Sequence, residues 1–252
     1  MGEQQKQSMP VVRIRQAEPR DVDQVTDVLI AAMSVDQDWW DYRYPYRLAH
    51  PDDHRRFLRL LVESWIRLDF DDWLVVVAEC ADEAEEAEGT GPVTGQHWRI
   101  VAYAAWDVSY GNFRRYGEGY HPQNPSQVVQ DAGGQDRRDA NPAHAARHSE
   151  AAVEGHREHL DSLFGTEQLH LQGLGTHPDF QRRGLAASLC RWGMDRAAED
   201  GVALTVMAAP LARGVYPRMG FRELEQVLVQ VPGEEERTFL YPMVWEPSRP
   251  AE

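Results

Sequence analysis

One short segment constrains this sequence more than any other: an apolar run that ends at Thr176, a turn, and a helix that begins near Gly184. Backbone N–H groups at the start of a helix have no acceptor within the helix, and the helix dipole adds positive potential there. Such a junction binds anions of the phosphate type. Gly184 permits the close approach of a phosphate, Ala186 is small for the same reason, and Arg182 and Arg183 can supply charge-assisted hydrogen bonds. The segment therefore predicts a site for a pyrophosphate-bearing ligand.

The remaining sequence predicts one mixed α+β sheet rather than a doubly wound one. Alternating or β-branched apolar runs predict strands at 11–15, 73–79, 99–108, 167–176, 202–207, 223–231 and 237–245. Apolar residues at helical spacing predict helices over about 19–32, 51–68, 184–199 and, briefly, 212–219. The aromatic segment 39–46 is interrupted by proline and is expected to be irregular.

A single domain is expected over residues 11–246. Several segments within it and at its ends differ from the rest in composition. Residues 1–10 and 247–252 are expected to be tails, the first of them disordered, and the acidic, glycine-rich residues 82–95 a loop. A polar insertion at about 111–159 has few large apolar residues, which predicts a largely mobile loop with a helical piece from Ala143 to Leu163. Half of the ten histidines lie in this insertion, and an exposed loop accounts for them better than a metal site does. No metal is expected.

Composition narrows the classes of function. The formal charge of −15 argues against a nucleic-acid binder, because phosphate contacts demand basic surface. No apolar stretch approaches the roughly 18 to 20 residues that span a bilayer, and the first ten residues lack the apolar core of a signal peptide. Cys80 and Cys190 are isolated, which is typical of buried thiols in a reducing compartment. A cytoplasmic protein with no membrane partner is expected.

The segment from Leu174 to Ala186 closely resembles the Gln/Arg-x-x-Gly-x-Gly/Ala acyl-CoA signature of the GNAT superfamily of N-acetyltransferases. The likeness includes the lead-in at 176–178, and residues 215–222 are similar to the superfamily's Tyr-x-x-x-Gly-Phe ending. It covers roughly residues 169–222 and is especially like small-molecule acetyltransferases of fungi and actinomycetes, whereas residues 1–110 match more loosely. The chain departs from the pattern at Ala186, where many members have glycine, and at 208–210, where relatives are more polar. The second departure concerns substrate contacts rather than cofactor binding.

The resemblance implies a single-domain GNAT-like fold. Its mixed, twisted β-sheet would have helices on both faces and would splay at the acyl-CoA site, between the strands that end at Thr176 and near Ala208. Acetyl-CoA is implied as co-substrate, with its pantetheine in the splay and its pyrophosphate on the amides that begin the following helix. The implied cofactor-binding residues are Leu174, Gly175, Thr176, Gln181, Arg182, Arg183, Gly184, Leu185, Ala186 and Ala187.

Acetyl transfer to an amine needs a base for the ammonium and an acid for the departing thiolate. The resemblance implies Tyr216 as the acid, because the matching tyrosine of the family points its hydroxyl at the CoA sulfur. His170 occupies the strand position where some relatives carry a glutamate base, and an imidazole that titrates near neutrality suits this role. Glu79 and Asp107, at strand ends of the predicted hairpin, are the alternative bases. The structural alternatives are a packed tyrosine, a hydrogen-bonded core histidine and ion-paired carboxylates.

The aromatic residues between the first two helices lie where the resembling family forms its acceptor pocket. Their faces could hold an alkyl-ammonium or a flat ring, or they could simply close the core under a loop. The predicted substrate-binding residues are Trp39, Trp40, Tyr42, Tyr44 and Asp107. The expected function is acetyl transfer to a primary amine of a small molecule, by direct attack in a ternary complex. Protein or peptide amines, a longer acyl donor, an acyl-CoA-binding module without turnover, and a homodimer all remain open.

Overall fold

The computed structural model describes residues 11–69, 71–81, 98–117 and 119–247. The predicted loop at 82–95, the first tail and all of the second tail but its first residue lie outside these ranges. The strands are β1 (Val12–Gln16), β2 (Trp73–Ala81), β3 (Trp98–Asp107), β4 (Gln168–Thr176), β5 (Ala203–Ala208), β6 (Arg222–Glu223), β7 (Val227–Gln230) and β8 (Arg237–Trp245). The helices are α1 (Val22–Met33), α2 (Gln37–Arg43), α3 (Pro51–Ile66), α4 (Tyr110–Tyr116), α5 (Pro125–Asp131), α6 (Pro142–His156), α7 (Ser162–Phe164) and α8 (Leu185–Asp200).

The strands form one sheet in the order β1-β2-β3-β4-β5-β8-β6, with β7 paired to β8. All pairs are antiparallel except β4 and β5. These two strands pair only where 168–171 face 203–206, whereas the rest of β4 stays paired with β3 and the rest of β5 with β8. The sheet therefore splits between β4 and β5 at its centre, and the predicted mixed, splayed α+β sheet is confirmed.

Helices cover both faces of the sheet. Alternate side chains of β2 point to opposite faces, as the period of a strand requires: Val76 and Ala78 join the core beneath α8, whereas Val75 and Val77 join the core beneath α1 and α3. The fully buried Trp106 of β3 lies directly under α8. A Cβ on Gly193 of α8 would overlap the Trp106 ring, so this glycine sets how closely the helix approaches the sheet.

The segment 39–46 is not irregular as predicted, because its first half belongs to α2. The helix ends at Arg43, two residues before Pro45, which is consistent with the steric bias against helical backbone ahead of proline. The aromatic composition therefore gave no indication of the short helix α2, in which Trp40 and Tyr42 are buried.

The predicted mobile loop at 111–159 is wrong in its structure, because α4, α5 and α6 occupy most of it. The helical piece predicted from Ala143 is present: α6 begins at Pro142, and a π-helical turn over Arg157–Asp161 leads into α7. The side-chain oxygen of Asn141 accepts hydrogen bonds from the N–H groups of Ala143 and His144, and Asn124 caps α5 in the same way. Asparagine followed by proline is a helix-start signal that the polar composition obscured.

Helix α6 packs onto the sheet through small residues. Ala151 is fully buried against β7 and β8, and a Cβ on Gly155 would lie 2.6 Å from the Val227 side chain. Because small residues face the core, α6 lacks the large apolar residues by which a core-facing helix is usually recognised. Its backbone nevertheless lies close to the sheet. No helix of the described residues is long and apolar enough to cross a membrane.

Candidate active site

The turn between β4 and α8 has the backbone of an anion site. Arg182 has φ +62° and is the one non-glycine residue with positive φ in the part of the chain that the structure describes. Gly184 follows with φ +80° at the N-cap of α8. Left-handed backbone costs about 1–2 kcal/mol for a residue with a Cβ, and such strain concentrates at functional sites. Leu185, Ala186 and Ala187 form the first helical turn, whose N–H groups have no acceptor in the helix.

The polar side chains of this turn have different tasks. Arg183 donates from Nη2 to the Asp179 carbonyl at 3.1 Å and lies over Phe180, so it braces the turn. Gln181 donates from Nε2 to the Thr176 carbonyl at 3.3 Å and ties the turn to the end of β4. Arg182 is exposed and makes no ion pair or hydrogen bond through its side chain within the described residues. Of the two arginines, Arg182 is therefore the one available to an anion.

The split half of β4 carries the residues predicted to meet pantetheine. Gly175 is buried, and a Cβ there would lie 2.6 Å from the Tyr103 ring, so glycine is required for the strands to stay close. Leu174 is half-buried against the core beneath α8. The Oγ1 atom of Thr176 is buried and has no hydrogen-bond partner among the described residues. An unpaired hydroxyl beside an open strand edge and an anion-binding turn fits a ligand that combines amides with a pyrophosphate.

Tyr216 begins a short 3₁₀ helix over Tyr216–Met219 and is 4 % exposed, with its ring against Phe221. Burial, and then the nearby Cys190 and Tyr103, raise the pKa of Tyr216 well above its usual value, so the phenol keeps its proton at neutral pH. Burial also raises the pKa of Cys190 to about 12, which keeps that thiol neutral and unreactive.

A chain of hydrogen bonds fixes the tautomer of His170. Gln168 donates from Nε2 to Asp161 Oδ1 at 2.8 Å and to the Gly165 carbonyl at 2.7 Å, so its Oε1 is the acceptor of the amide. Thr205 donates its hydroxyl proton to that Oε1 at 2.7 Å, and the Thr205 oxygen lies 2.9 Å from His170 Nδ1. Because the hydroxyl proton is committed to Gln168, His170 must donate from Nδ1. The lone pair of the neutral imidazole is therefore on Nε2.

His170 is shielded and uncharged. Its exposure is 7 %, and the His156 ring meets it edge to face with centroids 4.6 Å apart. Burial, and then the proximity of His156, lower the pKa of His170 well below its ordinary value. The Nε2 atom has no hydrogen-bond partner among the described residues and is not fully enclosed. The role of His170 as the base stays a prediction.

The two alternative bases are held by other groups. Glu79 is 3 % exposed and pairs with Arg13 and Arg15, the latter at 2.6 Å. Burial raises the pKa of Glu79, but the two arginines outweigh it and lower the pKa overall. Glu79 is therefore an ion-pair partner, as the structural alternative expected, and its role as a base stays a prediction.

Asp107 ends β3 directly opposite His170 in the register of β3 and β4. Its Oδ1 accepts the Ser109 N–H at 2.9 Å and thereby closes the turn after the strand. Burial raises the pKa of Asp107, with opposing hydrogen bonds from Ser109. A role for Asp107 in substrate binding stays a prediction.

The predicted acceptor aromatics surround one of the protein's own cations. The Arg43 guanidinium carbon lies 4.1 Å from the Trp39 ring centroid, 4.9 Å from that of Trp40 and 5.1 Å from that of Tyr44. Tyr42 is 1 % exposed and faces away from this group, stacked on His144 with centroids 4.2 Å apart and planes 8° apart. Trp40 and Tyr42 are buried and therefore fit the alternative in which the aromatic residues close the core, whereas Trp39 and Tyr44 are half-buried.

Sequence reasoning missed several residues that shape this site. Tyr103 lies against the split half of β4, and the paired glycines 173 and 175 opposite it were the available signal. Thr205 and Gln168 reach His170 only because β4 and β5 pair in parallel register. His156 comes from the insertion, and no local pattern connects it with His170. No group of three or more potential metal ligands comes together within the described ranges.

Comparison with known proteins agrees with this geometry. Residues 138–245 match the family model described as Acetyltransferase (GNAT) domain. A solved structure from Corynebacterium glutamicum, described as histone acetyltransferase HPA2 and related acetyltransferase, shares 19 % identity over 97 % of this chain and 100 % of its own, with a TM-score of 0.51. No curated protein is significantly similar to this chain in sequence.

Two further solved structures have lower TM-scores. The ribosomal-protein-S18-alanine N-acetyltransferase of Escherichia coli is 15 % identical over 96 % of this chain and 97 % of its own, with a TM-score of 0.47. The polyamine N-acetyltransferase of Drosophila melanogaster is 15 % identical over 94 % of this chain and 100 % of its own, also with a TM-score of 0.47. Residues 138–245 are thus similar to the GNAT acetyltransferase domain, and the split sheet that ends in the anion-binding turn agrees with that likeness.

Proposed function

We propose that this chain is an acetyltransferase of the GNAT superfamily and that it transfers the acetyl group of acetyl-CoA to a primary amine of a small molecule, by direct attack in a ternary complex. The observation that carries the proposal is the split between β4 and β5 that ends in the anion-binding turn, with the buried His170 on β4 as proposed base and the buried Tyr216 after β5 as proposed acid. His170 offers an accessible lone pair on Nε2, and Tyr216 holds a proton that its raised pKa retains. General acid–base catalysis needs one group of each kind.

The donor would be held by main chain and by Arg182. The N–H groups of the first turn of α8 would donate to the pyrophosphate, and Arg182 would add a charge-assisted hydrogen bond. The unpaired hydroxyl of Thr176 and the free edge of β4 would hydrogen-bond the pantetheine amides. These contacts would direct the thioester into the split.

In the reaction, the amine nitrogen attacks the thioester carbonyl carbon, a C–N bond forms and the C–S bond breaks. His170 takes the proton from nitrogen, and because its pKa is low, we expect this transfer after attack has made the nitrogen more acidic. Tyr216 donates its proton to the departing thiolate. A neutral Cys190 is consistent with direct attack rather than an acyl-enzyme.

The shielding of His170 favours a small acceptor. With 7 % of its surface exposed and His156 across its ring, His170 leaves little room for a folded protein surface. A slender alkyl amine can reach a buried acceptor atom without displacing the helices around it. This is the reason for preferring small amines over protein lysines.

Binding of acetyl-CoA is tested by calorimetry on wild type, Gly184→Ala and Gly184→Trp. A Cβ at Gly184 would meet no protein atom within 4 Å, so both variants carry the same backbone strain at φ +80°. Only tryptophan covers the start of α8. We expect micromolar binding that Ala retains in large part and Trp abolishes. Absence of binding to wild type, or equal loss in both variants, would contradict the proposed cradle.

Turnover is tested by CoA release over a panel of primary amines, with Tyr216→Phe as the variant. General-acid loss typically costs about 10²–10⁴-fold. We expect kcat of Tyr216→Phe to fall by a factor within that range, while the affinity for acetyl-CoA is unchanged. Binding of acetyl-CoA without CoA release for any amine would instead identify a binding module.

A further inference from the structure

The guanidinium of Arg43 is partly enclosed by the protein and has no counter-ion among the described residues. Its Nε and Nη2 atoms are enclosed and have no hydrogen-bond partner, and no carboxylate among the described residues pairs with it. A buried charge is normally paired and hydrogen-bonded, because removing it from water is costly. Arg43 is therefore an exception that needs a physical reason.

The aromatic rings around Arg43 supply only part of the compensation. The faces of Trp39, Trp40 and Tyr44 attract the cation, but a π face is a weaker partner than an anion. Arg137 is close enough to act unfavourably: burial lowers the pKa of Arg43 most, Tyr44 opposes this, and Arg137 lowers the pKa further. The half-buried guanidinium thus lies beside a like charge.

The carboxylate beside Arg137 is already committed. Asp139 is fully buried and accepts from Arg137 Nε and Nη2, both at 2.7 Å, and it lies 2.6 Å from His54 Nδ1. Burial raises the pKa of Asp139, but His54 and Arg137 outweigh this and lower it, as expected for a fully engaged carboxylate. Two neighbouring arginines therefore differ: Arg137 has its anion and Arg43 does not.

Other unpaired nitrogens surround Arg43. Trp39 Nε1 and His148 Nε2 are also enclosed and unbonded, and the two rings meet edge to face at 5.7 Å. Arginine and tryptophan side chains can only donate hydrogen bonds. The cluster of Arg43, Trp39 and His148 therefore has donors in excess and lacks oxygen acceptors. Nη1 is the guanidinium nitrogen that is not enclosed, so it is the atom an incoming acceptor would reach first.

We propose that Arg43 binds a carboxylate of the acceptor, so that the substrates of this site are amines that also carry a carboxylic acid. A planar guanidinium matches a carboxylate through paired N–H···O bonds. This inference replaces the expected alkyl-ammonium cage, because the protein's own cation occupies the aromatic faces. The amine half of the inference rests on the proposed function, whereas the carboxylate half rests on Arg43 alone.

Helix α6 relates this site to the proposed base. It carries His148 beside Arg43 and, eight residues later, His156 against His170. Eight residues of helix span about 12 Å. The carboxylate and the reacting amine therefore lie at opposite ends of an extended acceptor, as in a diamino acid acetylated on its side chain, and not on one carbon.

The first test measures carboxylate binding without catalysis. Thermal unfolding is followed for wild type and Arg43→Met in hexanoate and in 1-hexanol, which share the alkyl chain. We expect saturating hexanoate to raise the Tm of wild type by about 2–4 °C, with no effect of hexanol and none on the variant. An equal rise in the variant, or the same rise with chloride or inorganic phosphate in place of hexanoate, overturns a carboxylate site at Arg43.

The ligand-free Tm separates binding from a structural role. Because Arg43 is an uncompensated charge, Arg43→Met is expected to unfold at the same temperature as wild type or higher. The control Arg137→Met breaks the buried ion pair with Asp139 and is expected to lower the Tm. A fall in Tm for Arg43→Met equal to that of the control means that Arg43 is structural, and the proposal is wrong.

The second test measures acceptor preference. Lysine and cadaverine share a primary amine and differ by the carboxylate. We expect wild type to favour lysine in kcat/KM by about 10-fold or more, and Arg43→Met to reduce the ratio to about 1. An unchanged ratio in the variant overturns the inference. If neither amine is acetylated but hexanoate still stabilises only wild type, the carboxylate site stands and the proposed function fails.

Discussion

Thr205→Val tests whether the tautomer of His170 matters for catalysis. The substitution keeps the shape of the side chain but removes the hydroxyl that accepts from His170 Nδ1 and donates to Gln168 Oε1. Without that acceptor, nothing in the described structure holds the proton on Nδ1. The alternative tautomer carries its proton on Nε2, where it cannot accept another.

The expected magnitude follows from one hydrogen bond. A typical buried hydrogen bond contributes about 0.5 to 1.5 kcal/mol net, so losing it changes the tautomer ratio by about 2- to 13-fold. We expect kcat/KM of Thr205→Val to fall by that factor while acetyl-CoA binding is unaffected. Thr205→Ser keeps the hydroxyl and is the matched control.

The assay is CoA release as a function of pH for wild type and both variants. Because burial and His156 lower the pKa of His170, the wild-type rate should not fall until the pH is well below the ordinary range of histidine. Thr205→Val should lower the plateau, whereas Thr205→Ser should not. Equal plateaus for all three proteins would refute the assignment of His170 Nε2 as the proton acceptor.

Two further predictions concern stability. Gly193→Ala should destabilise the protein by about 1–3 kcal/mol despite the better helix propensity of alanine, because the added Cβ overlaps Trp106. The control Gly111→Ala, whose Cβ meets nothing within 4 Å, should be neutral or stabilising. Urea unfolding compares the two variants, and equal midpoints would contradict the packing argument. Burial lowers the pKa of His144, but Glu234 at 2.6 Å and the Tyr42 carbonyl at 2.8 Å outweigh it and raise the pKa above the unfolded value. The stabilisation from protonated His144 is fully present below the unfolded pKa of about 6.5 and is lost as the pH rises through the folded pKa. Urea midpoints between pH 6 and pH 9 should therefore fall less in His144→Gln than in wild type. Equal falls would show that protonation of His144 does not stabilise the fold.

The sequence predicted those features that depend on neighbours along the chain. The turn before α8 is local, since Gly184 and the first helical residues determine its backbone. The split sheet followed from the strand order that the resemblance implied. The alternation of β1 was also visible, but its orientation was not. The apolar Val12 and Ile14 are exposed at 41 % and 39 %, whereas Arg15 is half-buried and pairs with the buried Glu79.

Contacts between distant segments had no local signal. The tautomer of His170 depends on Thr205 across two parallel strands, and its shielding depends on His156 of the insertion. Helix α6 was obscured because small residues pack it, and a pattern of large apolar residues is what sequence periodicity detects. The isolation of Arg43 is likewise invisible in sequence, where aspartates lie close by in the chain.

On the proposed function, the residues after 168 would carry catalysis and the insertion at 111–159 would carry acceptor specificity. The anion-binding turn, His170 and Tyr216 all come from residues after 168, where the likeness to the GNAT signature lies. The insertion contributes His144 against Glu234, His148 beside Arg43 and His156 against His170, along a single helix and its continuation. On the proposed function, a helix held by these three contacts would select an acceptor by shape and charge without moving as a lid does. On the proposed function, substitutions in α6 should therefore alter which amine is acetylated more than how tightly acetyl-CoA binds.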